Sequence, residues 1–179
     1  MKPNRNNGFS LIEVLVTIVI LLIGLLGLAG LQLRALSSQM ESYQRSQALI
    51  LLRDMAGRID NNRVNAASYI TTTPLGTGSA SCTATGAGSA ADLCEWNNAL
   101  LGTAEVNSLG NVGAMIGARG CIYQISAAAS GVPAQYLVAV AWQGLTPTAA
   151  PAVACGQNQY GNEALRRVVT FPLSIAILK

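Results

Sequence analysis

Residues 9 to 33 are apolar at almost every position, with a single carboxylate, Glu13, near the start. From Val14 to Leu31 there are 18 residues without a charge, about 27 Å of helix at 1.5 Å per residue, and from Phe9 the run is long enough to cross a bilayer. After Leu33 the pattern becomes amphipathic. Leu36, Met40, Tyr43, Gln47, Ile50, Leu51, Met55 and Ile59 recur at spacings of three and four, with Arg34, Glu41, Arg45, Arg53, Asp54, Arg58 and Asp60 between them. No proline lies between Pro3 and Pro74, so one helix is expected from about Ser10 to Asn61, roughly 75 Å long. Its first half suits lipid or a packed bundle; its second half offers one apolar stripe to a globular domain.

The pattern then changes twice. Residues 71–91, TTTPLGTGSASCTATGAGSAA, are nearly all Thr, Ser, Gly and Ala and read as a solvated connector. Beyond them, 121–126 and 135–142 alternate, with Tyr136, Val138, Val140 and Trp142 on one face. Ser130-Gly-Val-Pro133 reads as the turn between these two strands. A last strand-like run, 167–178, contains Pro172 and is therefore placed at an edge or bulge. The expected fold class is α+β: a long N-terminal helix packed on a small antiparallel sheet of three or four strands.

Composition narrows the chemistry. Of the 179 residues 51% are hydrophobic and 11% charged, the net charge is +3, and there is no histidine. The commonest general base and metal ligand is thus missing, and so modest a charge argues against a nucleic-acid partner. No cofactor and no metal are expected, and no catalytic residue stands out. The four cysteines, Cys82, Cys94, Cys121 and Cys155, have no CxxC spacing, so a disulfide role in an exported domain is favoured over zinc. Of the three possible connectivities, Cys82–Cys94 with Cys121–Cys155 is preferred, since each bridge would staple a loop to nearby structure.

The leader MKPNRNNG carries Lys2 and Arg5 and no acid, which holds that end on the cytoplasmic side and sends the rest across the membrane. No small-residue cleavage site follows the apolar run; the obvious small residue, Gly8, precedes it. Gly8-Phe9-Ser10-Leu11-Ile12-Glu13 resembles the signal of type IV pilins and of type II secretion pseudopilins. The resemblance implies cleavage by a prepilin peptidase between Gly8 and Phe9, N-methylation of Phe9, and a role for Glu13 in assembly. Physically, a carboxylate in hydrocarbon is costly unless a cation meets it. The new amine of a neighbouring subunit would be such a cation, and the pair would set register in a helical stack.

The blocks 118–122 (ARGCI), 138–144 (VAVAWQG), Cys155-Gly156 and 165–169 (LRRVV) further resemble PilV-type minor pilins. That resemblance implies a subunit that primes assembly of a type IV pilus, enters the fibre at low abundance and can occupy its tip. Its partners would be other minor pilins, the major pilin, the inner membrane before assembly, and the prepilin peptidase. Major pilins often carry a proline in the apolar helix; its absence here favours a minor subunit. Gly24, Gly27 and Gly30 read equally as a bending point or as close-packing positions. The implied organisation is a leader at 1–8, a helix at 9–62 with 9–33 in the membrane or fibre core, a variable loop region at 63–117, and a sheet with a C-terminal disulfide loop at 118–179. Alternatives are a type II secretion minor pseudopilin, and a tip adhesin or DNA-uptake pilin. Against the latter, Arg166-Arg167 is a thin basic spot that reads as a solvated strand face, and Trp142 reads as packing.

Overall fold

A computed structural model describes residues 8–78, 82–83, 85–104, 106–108, 110–111, 113 and 115–176. The basic leader positions Lys2 and Arg5 lie outside these. Contacts divide the chain into two units, Met1–Met40 and Glu41–Lys179. Helix α1 (Leu11–Asn61) supplies the described structure of the first unit beyond Gly8–Ser10, and opens the second. An acid in its first turn, Glu13, and a base in its last, Arg58, both complement the helix dipole.

In the second unit α1 is followed by a 3₁₀ turn (Arg63–Tyr69), helix α2 (Ser89–Leu101), two short paired strands β1 (Val106–Asn107) and β2 (Gly110–Asn111), and the longer strands β3 (Arg119–Ser126), β4 (Ala134–Gln143) and β5 (Arg166–Ile175). The last three form an antiparallel sheet in the order β3-β4-β5. The fold is therefore the α+β arrangement of one long helix on a small antiparallel sheet.

Alternation on β4 divides the packing. Tyr136, Val138, Val140 and Trp142 face a core built from Ala48, Leu52, Met55 and Ile59 of α1, Tyr69, and Trp96 and Leu100 of α2. Ala139 and Ala141 face the other way, toward Cys121, Cys155 and Tyr160. The α1 stripe differs from the one expected. The buried positions are Gln44, Ala48, Leu52, Met55, Ala56 and Ile59, whereas Leu36, Met40, Tyr43 and Ile50 are all more than half exposed. The helix carries two apolar stripes that share Met55 and Ile59, so periodicity could not choose between them. In the second unit the sheet takes the stripe with the smaller side chains, since Ala48 and Ala56 allow the Val- and Trp-bearing face to approach closely.

Helix α2 was not anticipated. Its signal is Leu93, Trp96 and Leu100 at helical spacing, closed by Gly102 in the left-handed conformation (φ 68°). Trp96 lies so close to β3 that a β-carbon at Gly120 would come within 2.5 Å of its ring, which accounts for glycine there. The start of the Thr-rich segment is not a free tether either. Thr71 N–H donates to Ile122 O (3.0 Å), and Leu75 and Gly120 exchange backbone bonds of 2.8 and 3.1 Å, covering part of the outer edge of β3. At the other edge, Pro172 pairs with Leu137. The bond from Gly144 N–H to Leu165 O (2.7 Å) sets the bonded pairs on odd-numbered β5 residues, so the proline nitrogen faces outward, where no ladder bond is lost.

Candidate functional site

The processing and assembly residues inferred from sequence all fall at the start of α1. Gly8, Phe9 and Ser10 precede the helix, Phe9 is 84% exposed, and Glu13 N–H donates to Ser10 O (3.0 Å) in the opening turn. Among the described residues the Glu13 carboxylate takes part in no hydrogen bond or ion pair. From Leu11 to Leu33 every large apolar side chain of the helix is exposed. Among the described residues this is the one helix long and apolar enough to cross a membrane, and none of its most apolar window is buried within the chain. Such a surface is stable only against lipid or other apolar helices.

In the second unit the cysteines form two bridges, Cys82–Cys94 with Cα atoms 5.7 Å apart and Cys121–Cys155 at 5.8 Å. The first ties the Ser/Thr-rich segment to α2, where Asn98 also holds Cys82 through its N–H (3.1 Å) and O (2.8 Å). The second fastens the loop after β4 to β3. Arg166 and Arg167 then grip that loop from opposite faces of the sheet, which corrects the reading of a solvated basic spot. Arg166 is 1% exposed. It donates to Val153 O, to Cys155 O (3.1 Å), to Pro151 O (2.9 Å) and to Glu163 (2.6 Å). Arg167 reaches Thr148, Ala164 and Thr146, and pairs with Glu41 on α1 at 3.3 Å.

Glu41 is the helix side of this clasp. One oxygen accepts from Leu145 N–H (3.1 Å), Thr146 N–H (3.0 Å) and the Thr146 hydroxyl (2.8 Å). Partial burial works against its charge, but the Thr146 bonds, with Arg167 and Leu145, outweigh it and hold the carboxyl below the usual range. A second cluster joins α1 to α2, with Arg58 donating to Asp54 (3.0 Å), Asp92 (3.0 Å) and Glu95 (2.6 Å). Tyr69 donates its hydroxyl to Asp92, and burial together with that bond pushes the phenol up. The Trp96 indole donates to Leu51 O at 2.9 Å. Trp142, read as packing, is 3% exposed and lies in the core. Neither Glu41 nor Trp96 had been singled out from sequence; the i, i+3 apolar spacing could have revealed Trp96, while nothing local marks Glu41.

The first unit thus offers an exposed apolar helix, and the second a cross-braced domain in which, among the described residues, no set of three metal-ligating side chains converges. Comparison with known families agrees. Residues 3–29 match the prokaryotic N-terminal methylation motif, and residues 30–100 match the Tt1218-like family, described as type IV pilin Tt1218. The two matches abut and together cover more than half of the chain. The chain belongs to the type IV pilin family. No curated protein and no solved structure matches it significantly. As a pilin it is an assembly protein rather than an enzyme, and its single apolar N-terminal helix is of the kind that anchors prepilins in the inner membrane.

Proposed function

We propose that this pilin is a minor subunit of the PilV type, which primes assembly of a type IV pilus and enters the fibre at low abundance. The observation that carries the assembly role is the exposed apolar half of α1, opened by Gly8-Phe9 and by Glu13 without a described partner. In this reading the chain begins as a single-pass inner-membrane protein with residues 1–8 cytoplasmic and the second unit periplasmic. A prepilin peptidase removes the leader and methylates Phe9. Glu13 then meets the amine of an adjacent subunit within the apolar bundle, where low dielectric strengthens the pairing. The helix at 9–62 carries the heterologous contacts, the variable region at 63–117 and the sheet at 118–179 face outward, and the neighbours are other minor pilins and the major pilin. The PilV subtype is supported by the blocks around Trp142 and Arg166-Arg167, which build the braced loop.

Mass spectrometry of sheared fibres tests this. A low-abundance chain beginning at methylated Phe9 is expected in the fibre, and Glu13→Gln should reduce its incorporation while leaving the thermal melt of the periplasmic domain unchanged. A chain beginning at Met1 overturns the processing. A processed chain confined to membranes, in cells whose fibres form without it, overturns the pilus role in favour of a secretion pseudopilin.

A further inference from the structure

The described carboxylates of the second unit, Glu41, Asp54, Asp60, Asp92, Glu95 and Glu163, each lie in an ion pair with an arginine of the same chain. Arg119 has no such partner among the described residues, yet its head group is held firmly. Nε donates to the Gln159 side chain (2.6 Å), and Nη1 donates to Gly76 O and to Ala118 O (2.9 Å). All three acceptors are neutral, so the charge is oriented but not neutralised. Its holders come from separate parts of the chain: the segment after Pro74, the residue that leads into β3, and the loop tied down by Cys121–Cys155. Gly76 has φ of 79°, and a β-carbon there would fall 2.4 Å from Ala118 O, so the close approach that brings its carbonyl to Arg119 depends on glycine.

Arg119 also lines a cavity of about 400 Å³ together with Gly76, Gly78, Gly113, Gly117 and Met115. Leu100, Leu101 and Ile116 add apolar lining, and the four glycines leave backbone in the rest of the wall. Nη2 makes no hydrogen bond with any described residue, so both of its N–H groups remain available to an outside acceptor.

We propose that this cavity is a docking socket for an acidic side chain of a different protein subunit, with Arg119 as its anchor. Charge complementarity selects a carboxylate, and pre-organisation of the guanidinium lowers the ordering cost on binding. A second copy of this chain is the poorer occupant, because the carboxylates of its second unit, apart from Glu105 outside the described residues, are engaged by its own arginines. That the neighbour is a pilus subunit rests on the function proposed above; the chemistry of the socket does not.

The test uses full-length protein in its own cells. The chain has only two lysines, Lys2 and Lys179, so Arg119→Lys places a lone amine in the socket. Treatment of membranes and sheared fibres with a carbodiimide joins an amine to a touching carboxylate with loss of water. A cross-linked peptide joining position 119 to an Asp or Glu of another protein, absent from wild type, is expected. Arg119→Gln, which retains donors to the carbonyls, should lower recovery of that protein roughly tenfold while its melt stays near wild type. Links only to acids of the same chain, links only to a second copy, or no link at all from folded R119K protein would each overturn the socket. If Arg119→Gln unfolds the domain, the R119K result decides. The same spectra read the N-terminus, so a chain starting at Met1 counts against the pilin processing while the fate of the cross-link still judges the socket.

Discussion

At the scale of single residues, the two adjacent arginines show how far a side chain's role depends on strand geometry. Arg166 and Arg167 are equivalent in composition, yet alternation along β5 sends them to opposite faces of the sheet. Arg166 enters a pocket of carbonyls and loses contact with water, while Arg167 reaches toward Glu41. Removing the Arg166 head group would leave the carbonyls of Pro151, Val153 and Cys155 without their donor. Arg166→Ala should therefore lower stability by roughly 3 kcal/mol, read by urea unfolding of the second unit. The opposite expectation, a solvated strand face, predicts a change within about 0.5 kcal/mol. Nothing in the dipeptide itself reveals the difference; it requires knowing which loop folds over β5.

At the scale of elements, the long helix and the three sheet strands were legible because each obeys one period over many residues. The β4 alternation, the turn before it and the edge position of a strand containing Pro172 follow from local rules. The orientation of α1 on the sheet did not, since Tyr43 and Ile50 make as good an apolar stripe as Gln44 and Ala48. Helix α2 was hidden by the Thr/Ser/Gly/Ala run that leads into it. The clasp between α1 and the loop after β4 was equally invisible, because Glu41 and Thr146 are 105 residues apart and only the tertiary fold unites them. This clasp has a pH signature. The folded carboxyl of Glu41 titrates below its ordinary value of 4.5, so its contribution to stability is complete above that value and fades as pH falls through the lower, folded one. Glu163, held low by the Asn158 N–H and Arg166, acts in the same direction. The stability difference between wild type and Glu41→Gln should accordingly be present in urea melts at pH 7 and shrink progressively as the pH is lowered below 4.5. A difference that persists unchanged at pH 3 would argue that shape rather than charge holds the loop.

At the scale of the whole molecule, the two units divide the work of a pilin. The first exposes its large apolar side chains, and the second folds a core of its own against a sheet of three strands. The second has a modest core for its length, and its longest loop is braced by an arginine on each face and a disulfide. The Cys121–Cys155 bridge closes a separation of 34 residues. Its removal in a Cys121→Ser/Cys155→Ser variant should cost about 2–4 kcal/mol, measured by thermal melting of the second unit. Because Arg166 and Arg167 hold the same loop independently, the variant should still fold; loss of folding altogether would show that the arginines depend on the bridge. The function class was legible in the first 33 residues because insertion and processing signals are read linearly. Which neighbours the domain touches was not, because that depends on surfaces assembled from distant segments.

Pro172 has a consequence beyond its own strand. Each copy of the chain carries a ten-residue strand at the rim of its sheet. Such rims invite neighbours to stitch together into an endless ribbon. Here the outward-facing row of backbone donors on β5 lacks one in its middle, and the pairing with β4 loses nothing by it. An edge interrupted in this way is a poorer template for a second strand, which leaves the bare apolar helix as the stickier surface of the chain.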